Sequence, residues 1–120
     1  MSFFIEALVF FVALQHGFFL VLEMFLWDKP LGRKIFGLSK EQAAQTKVLA
    51  SNQGLYNGFL ALGLLIGIFS ETVGFEFKVF FLSCVVVAGF FGAITVNKKI
   101  LWVQGIPGAI ALSFVLLTNL

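Results

Sequence analysis

The sequence predicts an all-α, polytopic membrane protein, in which a bundle of four helices crosses the bilayer and both termini lie outside the cytoplasm. The 120 residues are 60% hydrophobic and only 12% charged, with a mean hydropathy of +1.04. A soluble domain carries about twice that charge. Four apolar runs are each long enough to cross hydrocarbon about 30 Å thick, which takes roughly 20 helical residues. The basic residues cluster in two of the connecting loops.

The apolar runs set the bounds of the predicted helices within a single membrane domain, residues 1–120. The first run has no basic residue before it, so we interpret it as a membrane span rather than a signal peptide. The predicted spans are residues 3–27, 48–69, 77–96 and 100–118.

The second helix is predicted to begin at about residue 40, before its apolar run. Ser39 followed three residues later by Gln42 is typical of a capping box, with Ser39 as the N-cap. A helix from there to Phe69 is about 45 Å long at 1.5 Å per residue. Because this exceeds the hydrocarbon thickness, its first turns should project into the cytoplasm or lie at the interface.

The distribution of basic residues predicts the orientation. Lys78 lies near the second loop, and neither terminal segment carries Lys or Arg. Short loops rich in Lys and Arg stay in the cytoplasm, so we expect both termini outside. The other basic residues lie in the first loop or the third link: Lys29, Arg33, Lys34, Lys40, Lys47, Lys98 and Lys99.

Polar side chains are predicted to meet in the cytoplasmic half of the membrane. The first helix enters from outside, which puts His16 near the midplane and Glu23 about 10 Å closer to the cytoplasm, on the same helix face. The second helix returns through the same depths, and the fourth carries a polar residue beside Pro107, which invites a kink. The residues predicted to bind a ligand are His16, Glu23, Asn52, Gln53, Tyr56, Asn57 and Gln104.

An ionisable side chain inside a membrane is costly, about 2.5–3.5 kcal/mol at a helix centre, and by default marks a functional site. We therefore interpret Glu23, together with His16, as the proton-sensitive group of a pocket open to the cytoplasm. The predicted function is binding or transport of a small organic or amphipathic molecule, by a homo-oligomer within the lipid bilayer.

Two alternatives stay open. The protein could be a membrane-embedded enzyme acting on a lipophilic substrate, with Glu23 or His16 as general acid or base and Tyr56 as an additional proton donor. It could also be a structural or accessory subunit, in which the amides only join helices. No nucleophile–base pair or phosphate loop is recognisable, so no catalytic residue is assigned.

The composition gives no basis for a metal, a cofactor or a nucleic-acid partner. The chain has one cysteine, Cys84, one histidine and no C-x-x-C spacing, so no metal site is predicted. The net charge of +2 is too small and too scattered to indicate nucleic-acid binding.

Four segments together resemble a known family. They are Leu22–Trp27, Gly32–Leu38, Asn52–Leu60, and Val103–Gly105 with Pro107. They are similar to a family of small bacterial integral membrane proteins catalogued as domain of unknown function 1304, and the run that begins at Asn52 is the most specific part. The resemblance covers essentially the whole chain. It implies four helices and a location in the bacterial cytoplasmic membrane, and it attaches no activity.

Overall fold

The computed structural model describes residues 2–120, and every regular element within them is helical. Four helices are long and apolar enough to cross a membrane, when the π-helical turn and α5 are taken together. This confirms the predicted all-α fold with four spans; the orientation and the single domain stay predictions. The helices are α1 (Ser2–Met24), α2 (Pro30–Phe36), α3 (Lys40–Phe69), α4 (Gly74–Thr95), a π-helical turn (Leu101–Gly105) and α5 (Ile106–Thr118).

The short helix α2 was not predicted from the sequence. Pro30 occupies its first turn, where the missing N–H costs nothing. Gly37 ends it in the left-handed conformation, with φ of 65°, and its N–H bonds to the carbonyl of Arg33. A Cβ at Gly32 would overlap the carbonyl oxygen of Leu26, so α2 lies directly against the end of α1.

Helix α3 begins where the capping box predicts. The backbone N–H of Gln42 donates to Ser39 Oγ at 3.1 Å, and the backbone N–H of Ser39 donates to Gln42 Oε1 at 2.9 Å. Both halves of the reciprocal pair are therefore formed. The helix runs for 30 residues, which corresponds to about 45 Å.

The fourth span begins with a π-helical turn rather than a simple proline kink. Pro107 has no N–H to donate to the carbonyl four residues earlier. The turn before it is wider, and the N–H of Ile106 bonds to the carbonyl of Leu101, five residues back. Gly89 of α4 approaches this turn so closely that a Cβ there would lie 2.6 Å from the nitrogen of Gly105.

The chain divides into two compact units. The first comprises residues 2–14 and 60–120, and its core is apolar. At the edge of this core Lys78, which is only 4% exposed, pairs with Glu6 at 2.6 Å. The sequence predicts only a topological role for Lys78, and the structure makes it a link between α1 and α4. The core residues are Ile5, Val9, Val12, Ala13, Leu64, Leu82, Val85, Ala111 and Val115.

The second unit is Gln15–Phe59, which holds the end of α1, all of α2 and the first two thirds of α3. Two polar contacts join the segment after α1 to the start of α3. Trp27 Nε1 donates to Thr46 Oγ1 at 3.0 Å, and Lys47 Nζ lies 3.0 Å from Asp28 Oδ2. Tryptophan at this kind of position is typical of a membrane–water interface.

Candidate functional site

Gly54 allows the backbone of α3 to lie directly beside Glu23. A Cβ at position 54 would be 2.7 Å from Met24 Cγ, 3.0 Å from Glu23 Cβ and 3.2 Å from the carbonyl oxygen of Leu20. Gly58, one turn later, faces the side chain of Leu20 in the same way. Small residues at four-residue spacing permit this close helix–helix approach. The consequence is that α3 side chains next to Gly54 reach the end of α1.

Two amides of α3 converge on the carboxylate of Glu23. Gln53 Nε2 donates to Glu23 Oε2 at 2.6 Å, and Asn57 Nδ2 donates to Glu23 Oε1 at 2.5 Å. Residues 53 and 57 are four apart and therefore share one helix face. Glu23 itself is only 3% exposed. We call Glu23, Gln53 and Asn57 the Glu23 cluster.

Two amide donors contact the Glu23 carboxyl, and no cation among residues 2–120 pairs with it. Two ion pairs occur within residues 2–120, Lys47–Asp28 and Lys78–Glu6, and neither includes Glu23. An ionised carboxylate offers about four lone-pair positions, of which the two amides use two. The Glu23 cluster therefore keeps the capacity to accept further hydrogen bonds from a bound group.

An ion pair lies close to the Glu23 cluster along α3. Lys47 precedes Gln53 by about 9 Å of helix. The hydrogen bond from Lys47 holds the pKa of Asp28 below its ordinary value of 3.8. Asp28 therefore stays ionised through ordinary pH.

His16 is fully buried on α1. Its ring meets that of Phe19 edge to face, with centroids 5.3 Å apart. Both His16 and Glu23 are buried, and about 10 Å of helix separates them. The predicted coupling of His16 to Glu23 stays a prediction.

Asn52 and Tyr56 lie on the exposed side of α3. The amide of Asn52 donates back to the carbonyl of Val48 at 3.2 Å. Tyr56 is 61% exposed, and its ring packs against Phe59. Of the four polar residues predicted on this helix, the structure thus brings Gln53 and Asn57 to Glu23. The ligand-binding roles of Asn52 and Tyr56 stay predictions.

Gln104 belongs to the unit formed by residues 2–14 and 60–120, where it lies in the π-helical turn and is partly buried. Its carbonyl carbon would be 3.3 Å from a Cβ on Gly89, so this part of the turn packs closely on α4. The predicted participation of Gln104 in one site with Glu23 stays a prediction.

Comparison with known proteins assigns the family. The sequence model of a family described as "Protein of unknown function (DUF1304)" matches residues 10–116, a range that includes the Glu23 cluster. The chain belongs to the DUF1304 family. It is similar to uncharacterized protein YpaA of Lactococcus lactis subsp. lactis, with 33% identity over 96 residues, covering 78% of this chain and 81% of that relative. No solved structure matches it.

The family assignment confirms the resemblance seen in the sequence. With four helices long and apolar enough to cross a membrane, this DUF1304 protein is a multi-pass membrane protein of a bacterial family. Location in the cytoplasmic membrane stays a prediction.

Two apolar grooves lie on the part of the surface that residues 2–120 form. One lies on α5 and includes Ile110 and Phe114, and the other lies on α4 and includes Phe80 and Cys84. Neither groove is lined by a residue of the Glu23 cluster, and such surfaces are what lipid chains cover in a membrane. Within residues 2–120 no three His, Cys, Asp or Glu side chains are grouped to hold a metal ion.

Proposed function

We propose that this DUF1304 protein binds a small organic molecule inside the membrane, near the side that carries the basic loops, and that Glu23 recognises it. The observation that supports this proposal is the convergence of the Gln53 and Asn57 amides on the buried Glu23 carboxylate. An acid within a membrane span is costly, and two hydrogen-bond donors maintain this one there. A purely apolar contact between α1 and α3 would need neither the carboxylate of Glu23 nor the amides of Gln53 and Asn57.

The chemistry of the Glu23 cluster favours a positively charged or hydrogen-bond-donating ligand. Glu23 takes part in neither ion pair of residues 2–120, so a cationic group would complete its charge balance. Leu20 packs beside Gly54 and Gly58 next to the cluster, and such apolar surroundings favour a ligand with a hydrophobic body. The proposed ligand class is therefore a small amphipathic amine.

A carboxylate that binds a cation also binds a proton, and the two compete for the same oxygens. Proton-linked transport of the amine is the extended form of the proposal. In this scheme protonation of Glu23 releases the ligand, and Gln53 and Asn57 orient the carboxylate while it is empty. The basic loops would face the cytoplasm, as the positive-inside rule predicts.

Calorimetric titration of the purified protein in detergent tests the proposal. A hydrophobic primary amine should bind, and the alcohol with the same carbon skeleton should bind much more weakly. Glu23→Gln should abolish amine binding. Glu41→Gln is the control, because it makes the same change at an exposed position of α3, and it should leave binding intact. Amine binding that survives in Glu23→Gln would overturn the proposal, as would its absence from the wild-type protein.

A structural role for the Glu23 cluster is the competing account. Each carboxylate oxygen already has an amide donor, so the cluster can join α1 to α3 without a ligand. On that account Glu23→Gln lowers the melting temperature, and the wild-type protein binds no amine. Catalysis receives less support, because Tyr56, the proton donor of the enzyme hypothesis, lies on the exposed side of α3.

A further inference from the structure

One face of α3 presents an exposed series of residues with a regular spacing. Successive members are four, three, four and three residues apart, which is the alternation of a left-handed helix–helix seam. Leu49 is 71% exposed, Tyr56 61% and Phe59 52%, and the two amides are also exposed. The members of this α3 seam are Gln45, Leu49, Asn52, Tyr56 and Phe59.

The seam ends at Phe59. The next position in the series is Gly63, and a Cβ there would overlap the ring of Phe81 of α4. The exposed part of the seam therefore spans 14 residue steps, or about 21 Å of helix. That length corresponds to two heptads.

Asn52 is the member of the seam that requires a partner. It lies about 7.5 Å along α3 beyond Lys47, whose pairing with Asp28 belongs to the polar edge of the span. Its amide donates one hydrogen bond, to the carbonyl of Val48. Within residues 2–120 the second amide proton and the amide oxygen make no hydrogen bond, and hydrocarbon offers them no partner.

We propose that two copies of this chain pair through the α3 seam, about a two-fold axis parallel to the membrane normal, with Asn52 facing Asn52 of the second copy. A primary amide is both donor and acceptor, so two of them complement each other across such an axis. All copies insert with the same orientation, and the axis therefore brings residues of equal depth together. A single Asn in a helix–helix seam can specify both the register of the pairing and the number of helices that associate.

The other members of the seam fit the same partner. Leu49 and Tyr56 flank Asn52 by one turn on either side, so each would meet its own counterpart and enclose the amide pair. A lipid chain could cover Leu49 and Phe59 equally well. It could not satisfy the amide of Asn52, and this favours the second copy.

Cysteine cross-linking in native membranes tests the pairing. Leu49→Cys in a Cys84→Ser background keeps Asn52 and places a thiol beside the proposed axis. Mild oxidation should give a covalent dimer. The matched control is Ile94→Cys in the same background, because Ile94 is 84% exposed, lies on the last turn of α4 and falls on the same predicted side of the bilayer. It should give little dimer.

Adding Asn52→Leu to Leu49→Cys tests the amide itself. Interhelical hydrogen bonds in membranes contribute about 0.6–1.7 kcal/mol, so we expect the dimer yield at limiting protein density to fall about three- to eighteenfold. Asn52 is exposed in the monomer, so helix content should not change, as circular dichroism can check. Equal cross-linking from positions 49 and 94 would overturn the proposal, and so would a yield at position 49 that Asn52→Leu leaves unchanged.

Discussion

Nδ2 of Asn57 lies 2.5 Å from Oε1 of Glu23, although 34 residues of chain separate the two side chains. Together with the bond from Gln53, this contact fixes the rotation of α3 against the end of α1 within the second unit. This rotation determines which polar side chains of α3 donate hydrogen bonds to Glu23 and which face outward. The proposed binding function and the proposed pairing surface both follow from that rotation.

Asn57→Leu should destabilise the protein by about 1–3 kcal/mol, because it leaves Glu23 Oε1 buried without its donor. Thermal unfolding in detergent measures the effect. Gln45→Leu is the control, since it removes an exposed amide from the same helix and should change stability by less than about 0.5 kcal/mol. Equal losses for the two variants would contradict the importance of the contact.

Gly54→Ala should separate α1 from α3. The new methyl group would lie 2.7 Å from Met24 Cγ and 3.2 Å from the backbone oxygen of Leu20, and the backbone has little freedom to move away. We expect a loss of about 1–3 kcal/mol, typical of overpacking. Gly17→Ala is the matched control: nothing lies within 4 Å of a Cβ there, so the gain in helix propensity should raise stability by up to about 1 kcal/mol. A neutral Gly54→Ala would refute the proposed close approach.

Lys78→Met should be more damaging alone than together with Glu6→Gln. The single change leaves the Glu6 carboxylate without its cation, and one of its oxygens, Oε2, is already buried without a hydrogen-bond partner among residues 2–120. Removing one member of a buried pair costs more than replacing both. Chemical denaturation of the two single variants and the double variant provides the thermodynamic cycle. Additive losses would show that the two side chains do not interact.

The pH dependence of the Asp28–Lys47 contact follows from the lowered pKa of Asp28. A carboxyl whose pKa is lower when folded contributes stability above its ordinary pKa of 3.8, and that contribution is lost as pH falls through the lower, folded value. The contact should therefore persist at pH 4. Carboxyl NMR of Asp28 should show a midpoint below 3.8 in the wild-type protein, and Lys47→Met should move it upward. The same midpoint in both proteins would contradict the assignment.

The sequence predicts the spans well because their signal is local. A run of apolar residues long enough to cross the bilayer is most readily explained as a membrane-spanning helix. The start of α3 follows from Ser39 and Gln42 alone. The apolar run predicts a first span that extends to Trp27, and α1 ends at Met24. The run stays apolar through Leu26, while the chain turns after Met24.

The partition of the polar residues on α3 could not be predicted. Asn52 and Gln53 are neighbours of similar chemistry, and both faces of the helix also carry apolar side chains, so hydrophobic periodicity does not choose between them. Gly54 determines which of the two faces α1, because a residue without a side chain lets the α3 backbone pack directly against Glu23. The pairing of Lys78 with Glu6 could not be predicted for a related reason, because it depends on which helices are neighbours.

Side-chain NMR of the protein in lipid bilayers can show whether the Glu23 cluster binds a ligand. The carboxyl of Glu23 and the side-chain amides of Gln53 and Asn57 are observed during titration with a hydrophobic amine. We expect all three signals to shift together and saturate, and the matching alcohol to leave them in place. Signals that do not move at saturating amine would rule out binding at Glu23.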